Sequence, residues 1–183
     1  MTVPPRYTPT RYTNSAIALH WLIALLIIAT FFLGLTMVDM PGITPTKLKY
    51  FNWHKWMGVT VLGLAVARVL WRLTHKPPPL PVTMPKWERI AAELGHFGLY
   101  ALMFAVPLSG YFYSLASGYK VVYLGQFTLP VLMDPNPQLK PILKTTHYLL
   151  NMGLAALVSV HLLAVIKHQL IDRNNILKRM LPW

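Results

Sequence analysis

Apolar residues in this chain come in four long runs, not in alternation or in short amphipathic stripes. The runs cover about 15–38, 51–73, 93–115 and 145–170. Each is long enough to cross a bilayer as a helix, for which about 20 apolar residues suffice. Lipid offers no hydrogen-bond partner to a peptide group, so a spanning segment must bond internally; long continuous apolar runs select the helix. The pattern predicts an all-α integral membrane protein, a single domain over residues 1–183 folded as a four-transmembrane-helix bundle. The polar stretches between the runs read as short connections. Asn14 or Ser15 is expected to cap the first helix. Pro41-Gly42 and Pro45 turn the chain within 39–50, and the prolines of 75–85 hold that connection extended. Pro107 should kink the third helix. Residues 116–144 form the longest connection, and one of that length is expected to cover something.

The apolar runs are interrupted by imidazoles. His147 and His161 lie 14 positions apart in the fourth run, about 21 Å along one helix face. An ionisable ring at membrane depth is costly and marks a partner or a site. His20 lies at the depth of His161, and His54 at the depth of His147. Two such pairs, one above the other, suit axial ligation of two haem irons by neutral imidazole nitrogens. Interhelical hydrogen bonding is the plainer alternative. His96 lies at a depth similar to His20 and competes with it, with Glu93 three positions earlier as a bonding partner. His168, seven residues after His161, shares its face and is either an interface imidazole or a quinone contact. Arg68 and Arg72, four apart on one face, either snorkel to the surface or pair with haem propionates or a quinone carbonyl, Arg72 lying nearer the surface. Gly58 either lets a flat group approach the second helix or serves an ordinary helix contact. His75 reads as loop, and the nine methionines read as core filling.

Composition narrows the chemistry. The chain is 55% hydrophobic and has no cysteine. That excludes thioether-attached haem, cysteine-ligated iron–sulfur clusters and disulfides. No glycine-rich phosphate loop follows a strand, so a nicotinamide or flavin domain is absent. The first run is longer than a secretory signal core and no small-residue cleavage site follows it, so it should stay attached as an anchor. The formal charge of +12 reflects membrane loops and no nucleic-acid partner. Arg6, Arg11, Arg68, Arg72, Lys76, Lys86, Arg89, Lys167, Arg173, Lys178 and Arg179 fall on one side. Lys47, Lys49, Lys55, Lys120, Lys140 and Lys144 fall on the other. Eleven against six predicts both termini in the cytoplasm. The outer side is still net positive, with Asp39 and Asp134 against six lysines.

The residues also carry a resemblance. ALHWL around His20, HKWMGVTVLGLAVARVLWRL with the following PPPLP, ELGHFGLYALMFAVPLSGY, KTTHYLLNMGLAALVSVHLLAVIKH and NNILKRMLP run almost end to end along the chain. Together they resemble the bacterial di-haem cytochrome b561 family, and within it the stand-alone members that oxidise superoxide. The resemblance implies two haems b, held by His20 with His161 and by His54 with His147, and places His168 at the quinone end. It implies a protein of the bacterial inner membrane with ubiquinone as electron acceptor. Superoxide would arrive from the periplasmic side, steered by Lys47, Lys49, Lys120 and Lys144 together with Lys55 and Lys140. Related cytochromes serve as haem b relay subunits of membrane dehydrogenases and hydrogenases, which is the alternative role. The outer loops depart most from the family pattern. Monomer and homodimer are equally compatible with the sequence.

Overall fold

The computed structural model describes residues 11–81 and 84–181; Arg6, counted above for orientation, lies outside them, as do two residues of the proline-rich connection. The elements are α1 (Asn14–Asp39), α2 (Pro45–Thr74), α3 (Lys86–Ala116), a two-stranded hairpin of β1 (Val122–Tyr123) and β2 (Phe127–Thr128), and α4 (Leu139–Leu170), followed by a 3-10 turn at Leu177–Met180. All four helices are long and apolar enough to cross a membrane.

The helices outrun the apolar stretches because polar residues at their ends continue the backbone pattern. Thr13, not Asn14 or Ser15, caps α1, its hydroxyl accepting the Ala16 N–H at 3.3 Å. Helix α2 starts at Pro45, whose missing N–H costs nothing in a first turn, and Thr44 caps it by accepting from Lys47 N at 3.1 Å. The first connection is therefore only 40–44, and Lys47, Lys49 and Lys55 stand on α2 itself. Helix α3 starts directly after Pro85 and runs unbroken through Pro107. Asn136 opens α4, its side-chain oxygen accepting from Gln138 N and Leu139 N at 3.0 Å each. Lys140 and Lys144 thus lie on the first turns of α4.

Two antiparallel pairs make the bundle. Helix α1 packs on α2 and α3 packs on α4, with α2 and α3 joining the pairs; α4 makes at most marginal contact with α1 or α2. Ile23, Ala65 and Met103 form the buried centre, surrounded by Ile27, Leu64, Tyr100 and Phe104. Apolar residues facing outward, such as Leu25, Phe32 and Leu163, match a lipid exterior.

The bundle has two distinct ends. At one, Tyr12 N–H donates to Arg179 O at 3.3 Å, Arg11 Nη2 to Leu181 O at 2.6 Å and Trp21 Nε1 to Met180 O at 2.7 Å. Both ends of the described chain meet there, and we call it the basic end. At the other, residues 117–138 fold over the bundle as the hairpin and its flanks. Leu124 and Gly125 both take positive φ, 52° and 72°, the tight-turn geometry that twisted hairpins favour. Val121 is 2% exposed beneath the hairpin. Trp56 Nε1 donates to Val122 O at 2.7 Å, Thr60 and Tyr123 hydroxyls meet at 2.9 Å, and Tyr111 OH donates to Pro130 O. The long connection does form a roof, tied down from two helices.

Candidate functional site

Beneath the roof lies a cavity of about 1010 Å³, bounded by all four helices and the flanks of the hairpin. It runs from Lys47 and Lys140 at the rim inward to Leu162, and its wall is mostly apolar, broken by lysines, a few hydroxyls, Asn52, Asn151 and the two imidazoles. His54 and His147 project into it with ring centroids 6.2 Å apart. Gly58, one turn inward from His54, lines the cavity, and a Cβ there would meet nothing within 4 Å.

Each of these rings is seated by the helix packed beside its own, and the seat is built the same way twice. His54 on α2 lies against α1. Its Nδ1 is 3.1 Å from Thr30 O, and a Cβ on Gly34, four residues on, would stand 3.1 Å from its Cε1. His147 on α4 lies against α3. Its Nδ1 is 3.1 Å from Val106 O, and a Cβ on Gly110, again four residues on, would stand 2.8 Å from its Cε1. A carbonyl can only accept, so both imidazoles carry their proton on Nδ1. Both therefore present the Nε2 lone pair, the arrangement in which histidine binds a metal while its other nitrogen is held by a backbone carbonyl. Asn151 Nδ2 lies 3.3 Å from His147 Nε2, but its shorter bond, 2.7 Å, goes to His147 O. Thr30, Gly34, Val106, Ser109 and Gly110 were invisible to sequence reasoning. The repeated spacing of carbonyl acceptor and glycine was the one available signal, and it means nothing until the helix pairing is known.

Three imidazoles gather at the other level. His161 stands 6.5 Å from His20 and 5.7 Å from His96 between ring centroids. The two neighbours differ in setting. His96 and His161 belong to α3 and α4, the most extensively packed pair, and a Cβ on Gly98 would already stand 2.9 Å from Leu157 Cδ2. His20 faces His161 across helices that barely touch.

These distances test whether a flat metal-bearing group fits. Two imidazoles bonded at about 2 Å on opposite sides of one metal have centroids roughly 6 Å apart. The pairs His54–His147 and His20–His161 meet that, and both join helices with open space between them. The pair His96–His161 is formed by helices in direct contact, which leaves no width for a macrocycle.

Arginines flank this level. Arg68 Nη1 donates to Ala16 O at 2.9 Å and its Nε to Tyr100 OH at 3.1 Å. The Arg72 guanidinium lies over the same Tyr100 ring, 5.7 Å from its centre. His168 is engaged elsewhere. Its Nδ1 lies 2.6 Å from Asp172 Oδ2, and Lys167 Nζ bridges Asp172 and Glu88 at 2.8 Å each. His75 stacks on Trp71 at 3.9 Å, part of the connection as expected. Of the lysines expected to face an anion, Lys47, Lys55 and Lys140 reach the cavity. Lys49 lies over Trp53 and Lys55 over Tyr119, and Lys120 and Lys144 are exposed.

A four-helix membrane bundle with stacked, carbonyl-held imidazoles is the class of a membrane electron-transfer cytochrome. The chain belongs to the prokaryotic cytochrome b561 family, whose model matches residues 11–183. It is 36% identical to "Cytochrome b561 homolog 2" of Escherichia coli (strain K12) over 95% of this chain and 93% of that protein. It is 29% identical to "Cytochrome b561 homolog 1" of the same organism, over 94% and 97%, and 28% identical to "Probable superoxide oxidase CybB" of Yersinia pestis, over 94% and 96%. It is thus a multi-pass oxidoreductase of the bacterial inner membrane, engaged in electron transport, from a family that binds haem b.

Proposed function

We propose that this chain holds two haems b, one between His54 and His147 and one between His20 and His161, and transfers electrons from superoxide at the hairpin end to ubiquinone at the basic end. Two superoxide anions each lose one electron and leave as dioxygen; one ubiquinone gains two electrons and two protons and becomes ubiquinol. When bound, the haems supply one-electron redox change at two depths of the membrane. The protein supplies everything around that change.

The carbonyls of Thr30 and Val106 fix the tautomers that leave Nε2 free on His54 and His147. The buried cluster of Ile23, Ala65 and Met103 lies between the two levels and keeps water out of the middle of the bundle. Lys47, Lys55 and Lys140 at the cavity, with Lys49, Lys120 and Lys144 around it, raise the local concentration of a small anion. With imidazoles as the residues that would hold each metal, the chain's contribution to the donor is attraction to the rim. The excess of Lys and Arg at the basic end orients it to the cytoplasm with both termini, where protons for ubiquinol are drawn. Arg72 and His168 are the acceptor contacts; with Nδ1 of His168 engaged by Asp172, its Nε2 is the nitrogen that would meet a quinone carbonyl.

The reading rests on the two ring pairs, 6.2 Å and 6.5 Å apart, at two depths of one bundle. A reduced-minus-oxidised spectrum with haem quantitation should give two haems per chain. Stopped-flow mixing with superoxide should then reduce them at a rate that falls with ionic strength; no reduction would refute the donor. A relay subunit of a dehydrogenase or hydrogenase would need its outer face open to a partner protein, whereas here that face carries the tethered hairpin. Purification in complex with such a partner would favour the relay role.

A further inference from the structure

The two seats at the hairpin end share the carbonyl and the glycine four residues on, and they part chemically at the residue just before that glycine. Three residues after the carbonyl, α1 carries Leu33 and α3 carries Ser109. Ser109 is buried, at 7% exposure, in the middle of an apolar helix. Its Oγ lies 2.7 Å from Val106 O and 2.9 Å from His147 Nδ1. The directions of these bonds follow from the donors available. Val106 O can only accept, and it lies within reach of both the serine hydroxyl and His147 Nδ1. The single hydroxyl proton is thus spent on Val106 O, and Oγ is left as an acceptor for the Nδ1–H. His147 Nδ1–H is shared between two acceptors, the Val106 carbonyl and the Ser109 hydroxyl oxygen. His54 has the Thr30 carbonyl and an apolar leucine in the corresponding place.

We propose that Ser109 is a positioning residue that makes His147 the more strongly donating of the two imidazoles at this level and so lowers the reduction potential of the haem held there. This rests on His147 being an axial ligand, as in the proposed function. The physical reason is that an acceptor on Nδ1–H draws the proton outward and leaves more electron density at Nε2, which favours the oxidised, more positive metal. Ser109 is buried, so a lost acceptor is poorly replaced by solvent and the effect depends on the side chain. Seating on Val106 alone would match the His54 side, and the second acceptor breaks that equivalence.

The experiment is an optical redox titration of the full chain and of the Ser109→Ala, Ser109→Thr and Leu33→Ser variants in detergent or nanodiscs, with haem quantitation and the low-spin ferric EPR spectrum for each. Ser109→Ala should move the midpoint of one haem in the positive direction. The expected size is about a fivefold change in the reduced-to-oxidised ratio at fixed potential, the scale of one hydrogen bond. The other haem should stay unmoved. Ser109→Thr keeps a hydroxyl at the same place and should restore the original midpoint and EPR signal. Leu33→Ser should lower the same midpoint if its hydroxyl reaches His54. Two haems retained with unchanged midpoints and EPR signals in Ser109→Ala would overturn the inference while leaving the ligand assignment intact. If Ser109→Ala loses that haem, recovery in Ser109→Thr with the original midpoint supports the inference; recovery with an altered midpoint overturns it. Two haems retained in His147→Ala would instead refute the ligand assignment itself.

Discussion

Gly110 and His147 are fitted to one another across the α3–α4 contact: a Cβ on Gly110 would stand 2.8 Å from Cε1 of the imidazole and 3.2 Å from its Nδ1. No real Cβ sits that close to a rigid ring, so the glycine fixes how flat His147 lies against the neighbouring helix. Gly110→Ala should therefore displace the ring and reduce occupancy of the haem at that level by about tenfold, on the scale of about 1–3 kcal/mol for overpacking. Gly34→Ala, where the gap to His54 is 3.1 Å, should cost less. Haem quantitation of both variants checks the order; full occupancy in Gly110→Ala would mean the ring has another seat.

His20 and His96 compete for the same partner, and the packing separates them. His20→Ala should remove one haem, leaving one per chain, because it lies across the open gap from His161. His96→Ala should leave two, because Gly98 and Leu157 bring α3 and α4 too close beside it for a macrocycle to enter. The pyridine haemochrome assay on the two variants decides this, and the reverse pattern would exchange their roles.

Lys47 and Lys140 line the cavity together with Lys55, whose ammonium lies over the Tyr119 ring. The double change Lys47→Gln with Lys140→Gln should slow haem reduction by superoxide about three- to tenfold at low salt. The difference from wild type should shrink as salt screens the remaining charges. Stopped-flow rates over a series of ionic strengths measure it; a rate loss that salt does not erase would argue for a structural effect.

Asp172 gives a pH dependence with a definite sign. Its hydrogen bond from Lys167 holds the carboxyl below the usual carboxylate range, with His168 acting in the same direction. A depressed carboxylate stabilises the fold above its unfolded value, about 3.9, and that contribution disappears as pH falls through the lower folded value. Asp172→Asn should thus lower the Tm slightly at pH 7, since the pair is exposed. The gap should close as the pH drops below 4. Thermal unfolding of both proteins across pH 7 to 3 would show it, and a gap that persists in acid would trace to something other than this charge.

What the sequence determined by itself is what the bilayer enforces on any chain. Four apolar runs must become four helices, because lipid tolerates no unpaired peptide group. The 14-residue spacing of His147 and His161 places them at two depths, because the helical rise is fixed. The helix ends were legible only approximately: capping by Thr13 and the start at Pro45 depend on side-chain and backbone bonds that hydropathy does not register.

Tertiary structure decided everything that lies between helices. That Thr30 O meets His54, that Val106 O and Ser109 meet His147, and that Gly34 and Gly110 clear room for both rings depend on which helix packs on which and in what register. In a membrane that choice is made by close contact and by buried polar bonds. Both are properties of paired surfaces, and a single strand of sequence does not contain them.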